Sequence, residues 1–389
     1  MTAPSPTPVH DDMAEQADRA GLRRIHIFAF RDLDDPDAGG SEEHAAQVAR
    51  HLVAAGREVV HHTGRVRGGP REITRDGARV IRRGGRLGVF ATSVLDERLG
   101  RMGEADGIIE IFHGVPFFVP LWSRVPQVGV VHHVHLGTWD MLLPSPFHHV
   151  GHAIERHLVP RVYRQRTLLT AAPSARDEIV EHYGVDPSLV AVAPHGIDER
   201  FTPGGARSAH PLVVAVARLM PQKGISDLLN GFAIARRQVP ELEAVIVGDG
   251  PHRARFEAES RALGGEGWIR FAGRATDDEL VDWYQRAWVA CSASHREGFG
   301  LTLTEAAACG TPVVATRIPG HVDAMAEGQS GLLANDVTEL ADGIVRLLLD
   351  DELRTKMGAA AVEHAESFRW ESAAAALLRA LADDAARRR

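Results

Sequence analysis

Short apolar runs alternate with longer stretches that repeat apolar residues at the helical period along most of this chain. Glycine or proline separates many of these segments, which favours an alternation of strands and helices. In the first half, strands are predicted at residues 24–30, 58–61, 107–112, 127–131, 167–172 and from residue 190. In the second half, strands are predicted at residues 212–218, 243–247, 268–271, 289–292 and 313–316. This order predicts two doubly wound α/β domains.

A segment with few apolar residues separates the two series of strands. It contains Pro203, Gly204 and Gly205, which is typical of a linker. The N-terminal residues lack a sustained strand pattern, so they are predicted to form a loose tail. In chain order we predict a tail at 1–23, a first domain at 24–198, a linker at 199–210, a second domain at 211–369 and a C-terminal helix at 370–389.

The composition is that of a soluble globular protein. Of the 389 residues, 44% are hydrophobic and 25% are charged. The formal net charge of −8 argues against general nucleic-acid binding. The two cysteines, Cys291 and Cys309, lie within apolar runs and are expected to be core residues in a reducing compartment. No apolar run has the length of a membrane span and no signal-peptide pattern is present, so a cytoplasmic location is predicted.

The strongest candidate for chemistry is the stretch 297–305, which reads Glu-Gly-Phe-Gly-Leu-Thr-Leu-Thr-Glu. A buried strand precedes it and an apolar helix, residues 301–308, is predicted within and after it. The glycines therefore occupy a strand-to-helix corner, where backbone N–H groups and the helix dipole bind a phosphate well. Glu297 and Glu305 flank this corner and can accept hydrogen bonds from hydroxyls. The combination suits a nucleotide sugar, whereas the alternative is two solvated helix charges.

Two cations and two further glycines fit the same ligand. Arg218 and Lys223 lie five residues apart in the turn after a buried strand, where they can grip both phosphates of a nucleoside diphosphate. Taken alone, they would be ordinary loop charges. Gly39 and Gly40 precede a helix predicted at 41–55 and bring backbone amides close to a ligand at its N-terminus.

Histidines follow directly after one predicted strand of the first domain. His132, His133 and His135 lie at its carboxyl end, where ligands gather in open α/β sheets. The alternating pair His133 and His135 could form half a metal site, but no cysteine or carboxylate cluster accompanies it. The 21 histidines are spread along the chain, which argues against one shared site. No metal site is predicted.

Basic residues concentrate in two further places. Ten arginines lie between residues 65 and 101, and a solvated, loop-rich surface is favoured there over a binding patch. A predicted basic helix at 147–165 is interrupted by Pro160. An ordinary packed helix is favoured over one that lies on a membrane surface, so peripheral membrane contact is the less favoured alternative.

Residues 294–320 resemble the C-terminal signature of retaining glycosyltransferases of the GT-B fold, of the family 4 (glycosyl transferases group 1) type. The resemblance covers about residues 24–381. It implies two Rossmann-like domains facing each other across a cleft, with a terminal helix crossing back onto the first. It further implies sugar transfer with retention from a nucleoside-diphosphate sugar to a small-molecule, lipid or glycan acceptor. Neither a metal nor another cofactor is implied, because the donor is a co-substrate.

The resemblance also implies roles for individual residues. Catalytic roles fall to His132, Arg218, Lys223 and Glu297. Donor-binding roles fall to Gly39, Gly40, His133, Gly248, Gly273, Arg274, Gly298, Phe299, Gly300, Leu301 and Glu305. His132 matches the family's strand-end histidine best and His133 next. Epimerases and phosphorylases of the same layout, and a non-catalytic nucleotide-sugar binding protein, remain alternatives.

Overall fold

The computed structural model describes residues 7–136, 139 and 147–389. The chain forms two compact units. The first comprises Met1–Gly196 with Trp370–Arg389, and the second comprises Ile197–Arg369. The chain therefore leaves the first unit two residues before the predicted domain end at residue 198.

The first unit is a parallel sheet covered by helices. Its strands are β1 (Arg24–Phe28), β2 (Glu58–Thr63), β3 (Glu72–Arg75), β4 (Ala78–Arg82), β5 (Gly107–Ile111), β6 (Gln127–Val130), β7 (Leu168–Thr170) and β8 (Val190–Val192). Its helices among the described residues are α1 (Pro8–Ala20), α2 (Gly40–Ala54), α3 (Gly88–Arg98), α4 (Val119–Trp122), α5 (Phe147–Ala153), α6 (Val159–Tyr163), α7 (Pro173–Tyr183) and α15 (Trp370–Arg388). The strand order is β3-β4-β2-β1-β5-β6-β7-β8, and only β3 runs antiparallel to its neighbour. The central strands are buried on both faces, which explains their continuous apolar runs.

Helix α1 corrects the prediction of a loose N-terminal tail. It contacts both α15 and α2 and buries Met13 and Ala17 in the main core of the first unit. Its partners come mostly from the other end of the chain, including Leu377 and Leu381 of α15. The prediction was wrong for this segment because one buried face of a short helix carries little signal without its partner.

The predicted linker belongs to the second unit and is held against it. The side-chain amide of Gln285 donates to the carbonyl of Thr202 at 2.8 Å, and the indole of Trp288 donates to that of Ser208 at 2.8 Å. Phe201 packs edge-on against the ring of Tyr284, with ring centroids 6.0 Å apart. The linker prediction was wrong because side chains far along the sequence satisfy this glycine-rich backbone.

The arginine-rich stretch of the first unit contains an ordered hairpin, β3 and β4, followed by α3. Arg75 and Arg82 both donate to the buried carboxylate of Asp32, each at 2.9 Å. Burial raises the pKa of Asp32, but the two guanidinium groups outweigh it and bring the pKa to about 2. Part of the predicted solvated surface is therefore a buried ion-pair network.

The predicted basic helix at 147–165 is three consecutive helical pieces. A π-helical turn, Ile154–Leu158, separates α5 from α6. This turn buries Glu155, whose carboxylate accepts from the backbone amide of His135 at 2.7 Å, the indole of Trp139 at 2.6 Å and the phenol of Tyr183 at 2.8 Å. Within the described residues, no helix is long and apolar enough to cross a membrane.

The second unit is a fully parallel sheet with helices between its strands. Its strands are β9 (Leu212–Val216), β10 (Glu243–Val247), β11 (Ile269–Gly273), β12 (Val289–Ser292), β13 (Val313–Thr316) and β14 (Gly331–Ala334). Its helices are α8 (Ile225–Gln238), α9 (Arg253–Ala262), α10 (Asp277–Arg286), α11 (Leu301–Ala308), α12 (Pro319–Ala324), α13 (Val337–Leu349) and α14 (Asp351–Ala365). The spatial order is β11-β10-β9-β12-β13-β14, that is, third, second, first, fourth, fifth and sixth strand of this unit. This is the Rossmann order, and it reverses direction between β9 and β12.

Candidate active site

The reversal of strand order between β9 and β12 locates the candidate site in the second unit. The two strands are hydrogen-bonded neighbours, with Val213 opposite Val289. The loop after β9 carries Arg218 and ends in a 3₁₀ turn, Pro221–Lys223, while the loop after β12 leads to the glycine corner before α11. In open α/β sheets, ligands bind at the carboxyl ends of the strands at this switch point.

A glycine allows these two loops to touch. Gly224 has φ +60° and a Cβ at this position would overlap the carbonyl oxygen of Ala293. The neighbouring amide of His295 donates to the carbonyl of Gln222 at 2.9 Å. The turn after β9 therefore packs backbone to backbone against the loop after β12, which fixes the place of Lys223.

Lys223 and Glu297 form an ion pair across the switch point. The ammonium Nζ donates to Oε1 of Glu297, and the hydroxyl of Ser294 donates to the same oxygen at 2.8 Å. The two charged side chains are only 26% and 19% exposed. Burial raises the pKa of Glu297, but Lys223 and Ser294 outweigh it, so its pKa lies below its ordinary value. Glu297 is thus a carboxylate at neutral pH, and it orients the lysine.

The glycine corner between Glu297 and α11 is tightly packed. Gly300 caps α11 with φ +77°, and its missing side chain makes room for the ring of His321. Gly320 lies so close to the carbonyl oxygen of Glu297 that a Cβ there would overlap it. The ring of Phe299 is buried edge-on against Phe368, with centroids 5.4 Å apart. Residues 298–301 therefore form a tight strand-to-helix corner at the N-terminus of α11, and phosphate binding there stays a prediction.

His321 is a site residue that sequence reasoning missed. It is fully buried, and its Nδ1 donates to the carbonyl of Thr316 at 2.7 Å. Its Nε2 lies 3.3 Å from the hydroxyl of Ser292, which in turn lies 3.4 Å from that of Ser294. Burial lowers the pKa of His321, so the ring is neutral beneath the corner. The sequence around His321 gives no indication that it contacts Thr316 and Ser292, because a single histidine in a turn has no distinctive pattern.

Glu305 lies in the second turn of α11 and is half-buried. The phenol of Tyr284, on α10, donates to its Oε2 at 3.0 Å. Burial raises the pKa of Tyr284, as does the adjacent Glu305 carboxylate, so the phenol keeps its proton and donates. Tyr284 is a second partner that the sequence pattern did not indicate, because it acts from a neighbouring helix.

The other predicted second-unit residues surround the ends of β9, β10 and β11. Arg218 is exposed and lies two residues after the end of β9. The amide of Gly248 donates to the carbonyl of Gly273 at 2.7 Å, and both glycines have positive φ. Gly248 also approaches the carbonyl oxygen of Ala217 so closely that a side chain would overlap it. Arg274 comes next in the chain and is exposed. The ends of β9, β10 and β11 are therefore rich in glycine and carry two exposed arginines, Arg218 and Arg274.

The predicted first-unit glycines begin α2 one residue earlier than expected. Gly40 is the first helical residue, where the predicted helix began at residue 41, and Gly39 is the N-cap. The amide of Gly39 donates to Oε2 of Glu42 at 2.8 Å, and Oε1 of Glu42 accepts from Arg31 at 3.1 Å. The Gly39 amide is therefore already hydrogen-bonded to the carboxylate of Glu42.

The two predicted histidines face different surroundings. The His132 ring lies against those of His44 and His195, with centroids 5.2 Å and 5.0 Å away. The His133 ring stacks on His135, with centroids 4.0 Å apart. Their predicted roles at the donor sugar stay predictions, since the structure places the His132 ring in a histidine group within the first unit.

Two family models cover most of the chain. The model described as "Glycosyltransferase Family 4" matches residues 38–201, and the model described as "Glycosyl transferases group 1" matches residues 197–364. A D-inositol 3-phosphate glycosyltransferase of Corynebacterium diphtheriae is 31% identical over 401 aligned positions, which cover 92% of each chain. The chain belongs to glycosyltransferase family 4.

Other relatives of this family 4 member match over a shorter region. A D-inositol 3-phosphate glycosyltransferase of Streptomyces bingchenggensis is 36% identical over 231 residues. That alignment covers 54% of this chain and spans about half, 51%, of the relative.

Solved structures agree with the fold. Sucrose-phosphate synthase from Thermosynechococcus elongatus matches with a TM-score of 0.75 and 21% identity, covering 90% of this chain and 96% of that one. The lipopolysaccharide glycosyltransferase WaaG matches with a TM-score of 0.72 and 16% identity, covering 90% and 98%. The predicted fold class, two Rossmann-like α/β domains of the GT-B type, is confirmed.

Proposed function

We propose that this family 4 member transfers a glycosyl group from a nucleoside-diphosphate sugar to an acceptor, with retention at the anomeric carbon and no metal in the transfer step. The observation that carries the proposal is the ion pair of Lys223 and Glu297 beside the glycine corner. One oriented ammonium, a helix N-terminus and an exposed arginine lie around the same switch point. Together they suit a diphosphate whose negative charge grows as the glycosidic bond breaks.

Each group has a distinct task in this proposal. Lys223 and Arg218 stabilise the leaving diphosphate, and the amides of residues 298–301 bind its terminal phosphate. Glu297 holds Lys223 and accepts from a sugar hydroxyl, while Glu305, oriented by Tyr284, accepts from the ribose. Cations and amides of the chain thereby supply the electrostatic role that a divalent ion has in other phosphoryl sites.

The names of the relatives guide the choice of acceptor. Several are named D-inositol 3-phosphate glycosyltransferase, and one structural neighbour, HepE of Anabaena, was solved in complex with UDP-glucose. A phosphorylated cyclitol and a UDP-sugar are therefore the first substrates to test for this chain.

The test is a turnover screen with UDP-, GDP- and ADP-sugars, with and without D-inositol 3-phosphate, in buffer containing EDTA. Nucleoside diphosphate should be released faster with the correct acceptor, and NMR of the product should show the anomeric configuration of the donor. An inverted product would refute retention, and turnover that EDTA abolishes and Mg²⁺ restores would refute the metal-free step. Donor binding without turnover would favour the nucleotide-sugar binding alternative, and turnover that requires inorganic phosphate would favour a phosphorylase.

A further inference from the structure

Three histidines from three separate elements meet inside the first unit. His44 is on α2, His132 follows β6 and His195 follows β8. Their ring centroids are 4.7 Å apart for His44 and His195, 5.0 Å for His132 and His195, and 5.2 Å for His44 and His132. Each ring turns a nitrogen toward the others, and these nitrogens all lie within 4.8 Å of one another.

This triangle has the dimensions of a three-histidine metal site. With a Zn–N bond of about 2.0–2.1 Å and tetrahedral angles, the ring centroids of three ligands are roughly 5 Å apart, and their nitrogens roughly 3.3 Å apart. The observed centroid distances already match. The nitrogens, now within 4.8 Å of one another, have to converge further when the ion binds.

The chemistry of the group also favours a metal. His44 and His195 are almost fully buried, and burial lowers the pKa of both well below its ordinary value. Burial lowers the pKa of His132 to about 4. Burial thus disfavours the protonated rings, and a neutral imidazole is the form that ligates a metal.

Packing alone leaves polar atoms of this group unsatisfied. Nδ1 of His44 and Nε2 of His132 are buried without a hydrogen-bond partner in the structure. Each buried polar atom left in this state costs about 1–3 kcal/mol. The carboxylate of Glu42 contributes to the electrostatic environment of His132, but it already accepts from Arg31 and Gly39 and so is not a ligand in this arrangement.

We propose that His44, His132 and His195 bind one first-row transition-metal ion of the Zn²⁺ class, with water in the fourth position. Imidazole nitrogen is a preferred ligand of this group of metals, and three protein ligands leave an open position. The ion would connect α2 to the ends of β6 and β8 beside Trp370, whose ring lies 5.8 Å from His44. In this proposal the ion holds three elements of the first unit together, and His132 is a metal ligand rather than the donor-sugar histidine that the resemblance implies. The ion takes no part in the transfer step proposed for the second unit.

The proposal is tested by metal binding to tag-free protein. Co²⁺ is titrated into metal-free wild-type protein and into the variants H44Q, H195Q and H182Q, and the visible absorption of bound Co²⁺ is followed. His182 is an exposed residue of α7 and provides the matched control. One equivalent should bind to wild type and H182Q with tetrahedral-type absorption, and affinity should fall by more than about 100-fold in H44Q and H195Q, because loss of even an outer-shell partner costs about 10–100-fold. Equal Co²⁺ affinity in all four proteins would overturn the proposal.

A second measurement keeps the proposal testable if a histidine variant does not fold. Bound Co²⁺ should quench the fluorescence of Trp370, the tryptophan that contacts the group. The same titration in the variant W370F should bind Co²⁺ with most of this quenching lost. Absence of stoichiometric binding to folded wild-type protein, or quenching unchanged in W370F, would overturn the assignment. Zn²⁺ should also raise the Tm of wild type but not of a folded H44Q variant.

Discussion

At the scale of single residues, the two lysines of the chain lie in opposite settings. Lys223 is largely buried at the switch point with Glu297 as its partner, whereas Lys356 is exposed on α14. A charge held in place before substrate arrives stabilises a developing anion without reorganising. Lys356 is therefore a matched control for experiments that test the role of Lys223.

Replacing Lys223 by alanine should lower kcat by about 10²–10³, the usual loss for one positioned electrostatic stabiliser, or about 3–4 kcal/mol. The loss should fall on kcat more than on the donor KM, because diphosphate charge grows toward the transition state. Steady-state kinetics and thermal melts of K223A are compared with those of K356A. Near-normal turnover of folded K223A would remove Lys223 from the proposed mechanism.

Arg218 is expected to behave like Lys223. The variant R218A should lose a similar part of kcat, whereas R261A, at an exposed arginine of α9, should keep normal turnover. If R218A and R261A had equal kcat and KM, Arg218 would be an ordinary surface charge with no role in transfer.

Glu297 should show a different pattern from the cations. In E297A the sugar loses a hydroxyl acceptor and Lys223 loses its partner. Discrimination between donor sugars should weaken, while the Kd for free nucleoside diphosphate should stay similar or become tighter. The measurement compares kcat/KM for several sugars, and Kd by calorimetry, between E297A and the exposed-site control E363A. Weaker diphosphate binding with unchanged sugar discrimination would contradict the assigned role.

At the scale of elements, the N-terminal helix α1 is part of the first-unit core rather than an appendage. It contacts α15 and α2, and it buries Met13, which is 2% exposed. A helix that binds mainly through one buried face loses most of its anchoring when the central side chain of that face is removed.

Replacing Met13 by alanine should therefore lower the free energy of unfolding by about 2–4 kcal/mol. The matched control is E15A on the exposed face of the same helix, where Glu15 forms a surface pair with Arg19. That variant should change stability by less than about 1 kcal/mol. Denaturant unfolding measures both, and equal stability of the two variants would show that α1 does not anchor the unit.

At the scale of the whole molecule, buried histidines tie stability to pH. Burial lowers the pKa of His51, His61 and His132 to about 4, and it also lowers the pKa of His44 and His195 well below the ordinary value. In the unfolded chain these rings take up a proton below pH of about 6.5, whereas in the folded chain they stay neutral. The unfolded state then binds more protons, so stability falls as pH falls from 7 toward 4.

One buried acid acts in the opposite direction. Burial raises the pKa of Glu110 to about 8, although hydrogen bonds from Tyr163 and Phe117 favour its charged form. Its contribution to stability increases as pH falls from about 8 toward its unfolded value of about 4.5. Because the buried histidines outnumber this acid, the net expectation between pH 7 and pH 5 is a loss of stability.

The free energy of unfolding should therefore decrease by up to about 1.4 kcal/mol per pH unit for each such histidine below pH 6.5. Denaturant unfolding at several values between pH 7.5 and pH 5 measures the slope. The variant H61L should have a shallower slope than wild type, by about one proton, while H182Q at the exposed histidine should keep the wild-type slope. Identical slopes for wild type and H61L would exclude His61 as a contributor.

Much of this organisation follows from residues that are close in the sequence. Apolar runs predicted most strands of both sheets but missed β3, β4 and β14, and the stretch 297–305 predicted the corner before α11. A strand, a glycine turn and a helix lie within 20 residues there, residues 289–308, so local backbone preferences and the helix dipole are sufficient to predict a phosphate site.

Only the tertiary structure decided which distant residues meet. Lys223 contacts Glu297 because β9 and β12 are neighbours in the sheet. Tyr284 contacts Glu305 because the helices α10 and α11 lie next to each other. The group of His44, His132 and His195 combines three elements, so histidines that look scattered along the chain converge. Helix α1 likewise packs on α15 from the other end of the sequence. Such contacts depend on sheet order and packing, which bring together residues that carry no common local pattern.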